Sequence, residues 1–371
     1  MPAALDNVSS SREVRVYSTS AIPLPQYRLV QLPPDLLALL TDSSSPPPPL
    51  VLRSQSLQTP TYLCARDTVF QLREVSQSNA LLLLTPDPAA DDEVRATPLH
   101  GGYIELIPHT PNIDLSFVPY YHGPHSICIT PMISLSLAAV AARVPSSRTA
   151  FSRAWTQACG VEIDGVTYRL HDQDVVAKLL PMMLTAVQAS GLDPCALEAS
   201  AVAKAVRGDD EPDENDEPDC VVEAILRRFS TTPSAPYKLD TAALARWFGL
   251  TVLAEHADHS TDTAAFTNLW IRALPPLLLD SFPDSTPPLS LLAGECVQPT
   301  PNTVVYLPSR TLPIEPAARL KRLFSVRTTW PSEELAEFMR DIEPVPSRVD
   351  ALFTKHARRK VVKGKAFISR R

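Results

Sequence analysis

Short apolar stretches alternate with proline-rich breaks through the first 130 residues, a pattern typical of short β-strands with irregular connections. Within residues 61–84, Phe70 and Leu72 alternate with Gln71 and Arg73. This period of two predicts a half-buried antiparallel pair of strands, which turns at Arg66-Asp67. The other elements predicted here are strands at 27–32, 50–53 and 103–107 and a helix at 34–40.

The apolar run at 80–84 follows a polar kink and predicts a strand that is buried on both faces. Prolines cluster at 43–49 and at 85–93, where we expect breaks. Because short strands with long joins leave edges exposed, residues 21–130 are predicted to form an incomplete β-barrel or sandwich that partner chains complete. Residues 1–20 are polar and serine-rich and are expected to be disordered.

Beyond residue 130 the pattern changes to the i, i+3, i+4, i+7 spacing of amphipathic helices. An Asp164-Gly165 pair between β-formers predicts a hairpin over 161–168, since both turn positions need a positive φ. Helix, turn, helix and hairpin in this order indicate a winged-helix domain. We therefore predict an α+β chain whose β domain precedes tandem winged helices at 131–190, 191–310 and 311–371.

Charge is distributed unevenly along the chain. The net charge is −7, yet residues 352–371 hold eight Lys and Arg and no Asp or Glu, so the remainder sums to −15. A cationic end suits a polyanion or an acidic partner, and equally suits a solvated terminus. At 209–219, eight of eleven residues are acidic, which predicts a solvated loop. Mimicry of DNA phosphates or docking of a partner is the functional alternative for this loop.

The basic end is predicted to form a compact module. Acidic residues after Pro331 favour a helix start there, and 347–350 resembles a capping box for the next helix. That second helix is predicted to bury Val349, Leu352 and Phe353, with Arg348, Lys355 and Arg359 along its outer face. Residues 360–368 then predict a hairpin with lysines at its tip.

A cationic helix followed by a cationic hairpin is the arrangement by which helix-turn-helix proteins contact phosphates. We therefore expect non-specific DNA binding at this end. The predicted DNA-binding residues are Arg348, Lys355, Arg358, Arg359, Lys360, Lys363, Lys365, Arg370 and Arg371.

Two stretches of the chain resemble a single family. One runs through Cys64, Phe70, Leu72-Arg73, Ser78-Asn79 and Leu81-Leu82, and the other is RLFSVRTTWPSEEL…DALFTKHARRKVV…SRR. In this order they resemble the defective-in-sister-chromatid-cohesion family, a subunit of the alternative, chromosome-transmission-fidelity form of the replication factor C clamp loader. The chain departs from the family pattern at Thr68-Val69-Phe70, where Lys-Thr-Tyr is usual.

The resemblance implies a non-catalytic nuclear subunit that acts in DNA replication and sister chromatid cohesion. As partners it implies chromosome transmission fidelity proteins eighteen and eight, the DNA polymerase epsilon catalytic subunit, non-specific DNA and, indirectly, the sliding clamp. Proteins eighteen and eight would complete the β domain, and the winged helices would contact DNA and the polymerase. The implied contacts in the β domain are Phe70, Leu72, Asn79, Leu81, Leu82 and Leu83.

Catalytic and metal-binding patterns are not found in the sequence. It contains no GxxxxGK[ST], GxGxxG, GxSxG or HExxH, so we predict a protein that is not an enzyme. His122 and His125 form a pair three residues apart, as do His256 and His259, but neither pair has a further ligand at suitable spacing. No metal or other cofactor is therefore predicted.

The cysteines and the hydropathy indicate the compartment. The six cysteines lack a CxxC pair and are expected to be buried in a reducing environment; they lie at 64, 128, 159, 195, 220 and 296. Neither a signal peptide nor a membrane-spanning segment is predicted.

Two other functions fit the residues. The winged helices of a pure scaffold would bind only protein, with the basic end against an acidic partner surface. A sequence-specific transcription regulator is disfavoured, because the predicted recognition helix offers no Asn or Gln to read adenine.

Overall fold

The computed structural model describes residues 15–17, 28–42, 46–54, 59–76, 81–87, 90–99, 102–109, 113–124, 135–208, 216–256, 260–343, 345–362 and 364–371. The chain is a mixed α+β protein and divides into two compact units. The first comprises Met1–Ile113 with Ala141–Phe151, and the second Asp114–Val140 with Ser152–Arg371. Among the described residues, no helix combines the length and the apolar character needed to cross a membrane.

The first unit is built on strands, as its alternating sequence predicts. In chain order its elements are β1 (Arg15–Tyr17), β2 (Leu29–Gln31), α1 (Pro34–Thr41), β3 (Leu50–Arg53), β4 (Tyr62–Ala65), β5 (Thr68–Ser76), β6 (Leu81–Asp87), β7 (Ala90–Leu99) and β8 (Gly102–Pro108). The strand at Arg15–Tyr17 corrects the prediction of disorder for that part of residues 1–20, most of which lies outside the described residues.

A curled five-stranded sheet in the order β2-β8-β5-β4-β3 forms the larger part of this unit. The predicted antiparallel pair of β4 and β5 is confirmed, with Leu63 opposite Phe70. One face of the sheet packs against α1, whose Leu36 is fully buried beside Leu106. Strands β2 and β3 are the two edges of the sheet.

A smaller sheet in the order β1-β7-β6 overturns two predictions. The break expected at 85–93 is wrong, because β6 continues through Pro86 and pairs with β7, with a register shift between Pro86 and Asp87. The burial expected for 80–84 is also wrong, since Leu82 and Leu84 are 54% and 51% exposed. The edge position of β6 explains why proline is tolerated there. Leu82 and Leu84 are two residues apart, so they point to the same face of the sheet, and that face is exposed at both.

The second unit begins with a parallel strand pairing. Strand β9 (Tyr120–Tyr121) runs alongside β11 (Val166–Leu170), which forms the predicted hairpin with β10 (Gly160–Ile163). The turn is confirmed, with φ of 50° at Asp164 and 76° at Gly165. Helices α2 (Leu137–Arg143) and α3 (Arg148–Gln157) come between β9 and this hairpin in the chain, and Ala141–Phe151, which covers parts of both, belongs to the first unit.

The rest of the second unit repeats one order of elements: helix, strand, helix, helix, strand, strand. The first copy has helices α4 (Ala177–Ala189), α5 (Ala199–Arg207) and α6 (Asp219–Arg228), with single bridges Leu197–Tyr237 and Ser230–Leu239 in place of strands. The second has α7 (Thr241–Glu255), β12 (Thr261–Asp262), α8 (Thr263–Ala273), α9 (Pro276–Leu279), β13 (Cys296–Thr300) and β14 (Thr303–Tyr306). The third has α10 (Pro316–Val326), β15 (Thr329–Pro331), α11 (Ser332–Glu337), α12 (Pro346–His356), β16 (Arg358–Val362) and β17 (Lys365–Ser369).

In each copy the last strand pairs with the first and lies between the other two. The sheets are therefore ordered β12-β14-β13 and β15-β17-β16, and the bridges of the first copy follow the same rule. Close packing supports this arrangement: Trp270 is fully buried and donates its indole N–H to the Ala245 carbonyl at 2.9 Å. Gly249 allows the approach, because a Cβ there would lie 2.6 Å from the Trp270 ring.

Candidate functional site

The third copy carries most of the predicted DNA-binding residues, beginning with those on α12. This helix starts at Pro346, and its N-cap residue Val345 makes no side-chain capping bond, so the predicted capping box at 347–350 is wrong. Proline is favoured at the first helical position, where its missing N–H costs nothing. The helix buries Val349 and Phe353 as predicted, and it leaves Leu352 half-buried.

The outer face of α12 is shorter than predicted. Arg348 and Lys355 lie exposed on the helix, but the helix ends at His356, so Arg359 belongs to β16 and not to a helical stripe. Arg359 lies 4.0 Å from the Asp350 carboxylate, and Arg348 lies 3.9 Å from that of Glu343. These two arginines are thus partly neutralised by their own chain.

The predicted cationic hairpin is confirmed in β16 and β17, which pair from Arg358–Ser369 to Val362–Lys365. Side chains alternate between faces, so Arg358, Lys360 and Lys365 share the face opposite buried Ile368. All three are exposed. Lys363, predicted at the tip, lies outside the described residues.

Both arginines at the end of the chain are exposed, but only Arg371 has described hydrogen bonds. Arg371 donates to the carbonyls of Thr354 at 2.8 Å and Ala357 at 3.4 Å, so it caps the end of α12. Arg370 is exposed. Sequence reasoning missed Lys321 and Arg322, which add exposed cations on α10 of the same copy. Their signal was the presence of two adjacent basic residues on an amphipathic helix.

A second surface lies on the edges of the two sheets of the first unit. Edge strand β3 exposes 45% of Leu50, 42% of Val51 and 63% of Leu52. At the opposite edge of that sheet, β2 exposes Leu29 and Val30. Exposed apolar side chains on unpaired edges are the pattern that β-strand addition from a partner covers.

The predicted partner contacts fall only partly on this surface. Phe70 is 3% exposed and packs in the unit's own core, because it faces α1, so it is not available to a partner. Leu72 is half-buried beside that core, Leu82 is exposed and Leu83 is half-buried. Asn79 and the side chain of Leu81 lie outside the described residues.

The described part of the acidic loop is tied to the fold. The Tyr121 hydroxyl donates to the Glu217 carboxylate at 2.8 Å, and Arg207 pairs with Asp219 at 2.9 Å. Burial raises the pKa of Glu217, although the hydrogen bond from Tyr121 acts in the opposite direction. Full solvation is therefore wrong for this end of the loop, and residues 209–215 lie outside the described residues.

Side chains that could hold a metal ion meet where β9 and β11 end. His122, His171 and Asp174 place one ligand atom each within 4.8 Å of one another, the only such group of three or more found among the described residues. Sequence spacing could not find it, because His122 stacks in space on His171, which is far away in the chain. His125 lies outside the described residues. His259 also lies outside them, and His256 contacts the Val252 carbonyl of its own helix.

The cysteines follow the prediction only in part. Cys64, Cys159 and Cys296 are buried thiols, whereas Cys195 is exposed and Cys220 is intermediate. Burial raises the pKa of the Cys296 thiol to about 12, so this group is an uncharged core residue. Cys128 lies outside the described residues.

Comparison with known proteins decides the family. The pattern described as "Sister chromatid cohesion protein Dcc1" matches residues 27–339. This chain belongs to the Dcc1 family. The chain is also 26% identical to the sister chromatid cohesion protein DCC1 of Saccharomyces cerevisiae over 377 residues, which cover 94% of this chain and 97% of that protein.

The match to the Dcc1 family covers the surfaces unequally. The exposed edges β2 and β3 and the histidine cluster lie within residues 27–339, whereas α12 and the hairpin of β16 and β17 follow that range. The resemblance inferred from the residues is thereby confirmed as a cohesion-related family.

Proposed function

We propose that this protein is a non-catalytic nuclear subunit of the chromosome-transmission-fidelity form of replication factor C, which joins that clamp loader to DNA and to the leading-strand polymerase. Family membership supports a role in sister chromatid cohesion. The single observation that carries the DNA contact is the cationic helix and hairpin of the third copy.

The repeated order of elements supports a tandem of winged helices. Three helices and a three-stranded sheet in which the last strand lies centrally are the parts of that domain, with the last two strands as the wing. On this basis the winged helices extend over 177–239, 241–306 and 316–369. The sequence-based boundaries differ, since they assigned α2, α3 and the hairpin of β10 and β11 to the first domain.

The charge distribution supports the third winged helix as the proposed DNA contact. The hairpin of β13 and β14 contains no charged residue, whereas that of β16 and β17 is cationic. Five of the predicted DNA-binding residues are exposed and have neither an ion pair nor a hydrogen bond described: Lys355, Arg358, Lys360, Lys365 and Arg370. If each neutralises a phosphate, the slope of log affinity against log salt reaches about −4.5, at about −0.9 per phosphate.

The test measures binding of the full chain to a labelled duplex of arbitrary sequence at several salt concentrations. The double variant Lys360→Glu, Lys365→Glu should bind more weakly, and the magnitude of its salt slope should fall by about 2. The control is the double variant Lys204→Glu, Lys238→Glu, which makes the same charge change at exposed positions of another winged helix. A slope near zero, or equal effects in both variants, would favour a scaffold that binds only protein.

Proposed partners of the β domain are chromosome transmission fidelity proteins eighteen and eight, whose chains would pair with the exposed edges. The apolar side chains of β3 support this assignment, because their exposure disfavours an isolated sheet. The test is a pull-down of the tagged chain from replicating nuclear extract in the presence of nuclease. The test variant is Leu52→Glu, and the control is Thr149→Glu, at an exposed position outside the sheet. We expect the Leu52→Glu variant to lose the clamp-loader subunits and the Thr149→Glu control to retain them. Equal recovery with both variants would argue against β3 as the edge that binds the partners.

A further inference from the structure

We propose that His122, His171 and Asp174 form a binding site for a divalent transition-metal ion of the zinc class. Two imidazoles and one carboxylate are a ligand set that such ions accept, and three protein ligands leave one coordination position open to solvent. The proposal is independent of the DNA and clamp-loader roles.

The fold brings the two histidines together through strand register. Tyr121 of β9 lies beside Leu170 of β11 in a parallel pair, and each is followed directly by a histidine. The rings of His122 and His171 consequently stack, with centroids 4.8 Å apart and planes at 29°. Backbone pairing continues at this point, since the His171 N–H donates to the Tyr121 carbonyl at 3.1 Å.

Asp174 joins the cluster from the first turn after β11. Residues 172–176 form a single π-helical turn before α4, and this turn brings the Asp174 carboxylate back towards the histidine three positions earlier. One carboxylate oxygen, Oδ2, lies 2.6 Å from His122 Nδ1 and 2.9 Å from His171 Nδ1. The ligands therefore come from two separate elements of one unit.

The short contacts at Oδ2 leave His171 with competing demands. Its Nδ1 lies 2.9 Å from the carboxylate oxygen, which requires a proton on the nitrogen. The same nitrogen lies 3.3 Å from the Asp174 backbone N–H, which requires a lone pair. An ion beside Oδ2 would take the single lone pair of His171 Nδ1 and so replace the long hydrogen bond from the Asp174 N–H, while the carboxylate would face positive charge.

The distances suit an ion after small side-chain movements. Ligand bonds of about 2.0–2.2 Å separate tetrahedral ligand atoms by about 3.3 Å. The two nitrogen–oxygen distances are shorter than this by about 0.4 and 0.7 Å, so both would open as the ion displaces the bridging protons. Each of the three side chains is about one-third to one-half exposed, which gives an ion access from solvent.

The neighbourhood holds the rings in place and contains two cations. The Tyr120 ring meets His171 edge-on at 5.2 Å, and Arg169 lies over the Tyr120 ring at 4.1 Å. The second cation is Lys178, which is close enough to interact with the Asp174 carboxylate. Both cations repel a bound ion, but they act over longer distances than the three ligands that bind it.

The test is a titration of the full chain, freed of any histidine tag, with Zn²⁺ by calorimetry and with Co²⁺ by visible absorption. We expect one equivalent of ion and the ligand-field bands of a cobalt–imidazole site. His122→Ala and Asp174→Asn should each weaken binding at least about 10-fold. His171→Asn serves as a third variant, because asparagine can still cap the turn.

Matched controls are Asp164→Asn, in the turn of the nearby hairpin, and His356→Ala, at the end of α12. Both should retain wild-type affinity and the cobalt bands. Absence of saturable binding to the wild-type chain would overturn the proposal. Equal affinity in the wild type, His122→Ala and Asp174→Asn would also overturn it, because the ion would then lie elsewhere.

Discussion

Replacement of Arg319 by alanine should loosen the third copy of the repeated elements more than any surface change on α10. This side chain lies on α10 and is 1% exposed, despite its charge. Its guanidinium donates to the carbonyls of Pro313 at 2.7 Å, Phe338 at 2.7 Å, Ser309 at 3.1 Å and Leu312 at 3.4 Å, and to both carboxylate oxygens of Asp341. One cation therefore links α10 to the segments before it and after α11.

The expected magnitude follows from what the substitution leaves behind. Removing one member of a buried ion pair costs about 3–5 kcal/mol, because the partner groups lose their donor in a dry environment. Asp341 is 42% exposed, so water restores part of its interaction and places the loss near the lower value, about 3 kcal/mol. Arg319→Lys keeps the charge but loses the planar fork, and should cost about 2 kcal/mol.

Hydrogen exchange of the full chain is the suitable assay, because a protein of several modules does not unfold in one transition. Amides of α10 should exchange on the order of 100-fold faster in Arg319→Ala, since 1.4 kcal/mol corresponds to a factor of ten. Arg322→Ala, an exposed position of the same helix, should change stability by less than about 0.5 kcal/mol. Equal exchange in these two variants would refute the role assigned to Arg319.

Two further substitutions test local packing and charge. A Cβ on Gly160 would lie 2.0 Å from the Trp155 ring, so Gly160→Ala should destabilise the chain by about 1–3 kcal/mol and lower its Tm; an unchanged Tm would contradict the close approach. Burial raises the pKa of Glu217, so the folded chain binds the carboxyl proton more tightly than the unfolded chain does. The stability contributed by this protonation is therefore lost as pH rises through the folded-state pKa. Glu217→Gln can still accept from Tyr121 and should raise the Tm at pH 7 but not below about pH 4; an equal effect at both pH values would contradict this account.

Elements with strong local signals were predictable from the sequence. The Asp164-Gly165 turn, the alternating pair β4 and β5 and the helix after Pro331 all depend on neighbours within a few residues. Helix ends were less predictable, as Arg359 shows: its angular position suited a helix, but the helix ended three residues earlier. Angular reasoning cannot show where a helix stops.

Features that depend on distant residues were missed for a different reason. The break expected at 85–93 forms strand instead, because β7 supplies backbone partners that local sequence does not reveal. His122 and His171 lie far apart in the chain, and only the parallel pairing of β9 with β11 makes them neighbours. Phe70 likewise alternates correctly for a half-buried strand, but alternation alone does not say whether the apolar face meets α1 or a partner chain.

The three copies of the repeated elements have the same order but differ in packing, and this difference bears on the proposed roles of the copies. The first two share one continuous core that runs from Tyr121 to Val304, which favours a rigid pair. The third has its own core around Trp330 and Phe338, to which Val297 of the second copy contributes. A module with its own core can present charged side chains without disturbing the shared core of the other two. The cationic helix and hairpin occur in this third copy, where the proposed electrostatic contact with DNA would interfere least with the rest of the fold.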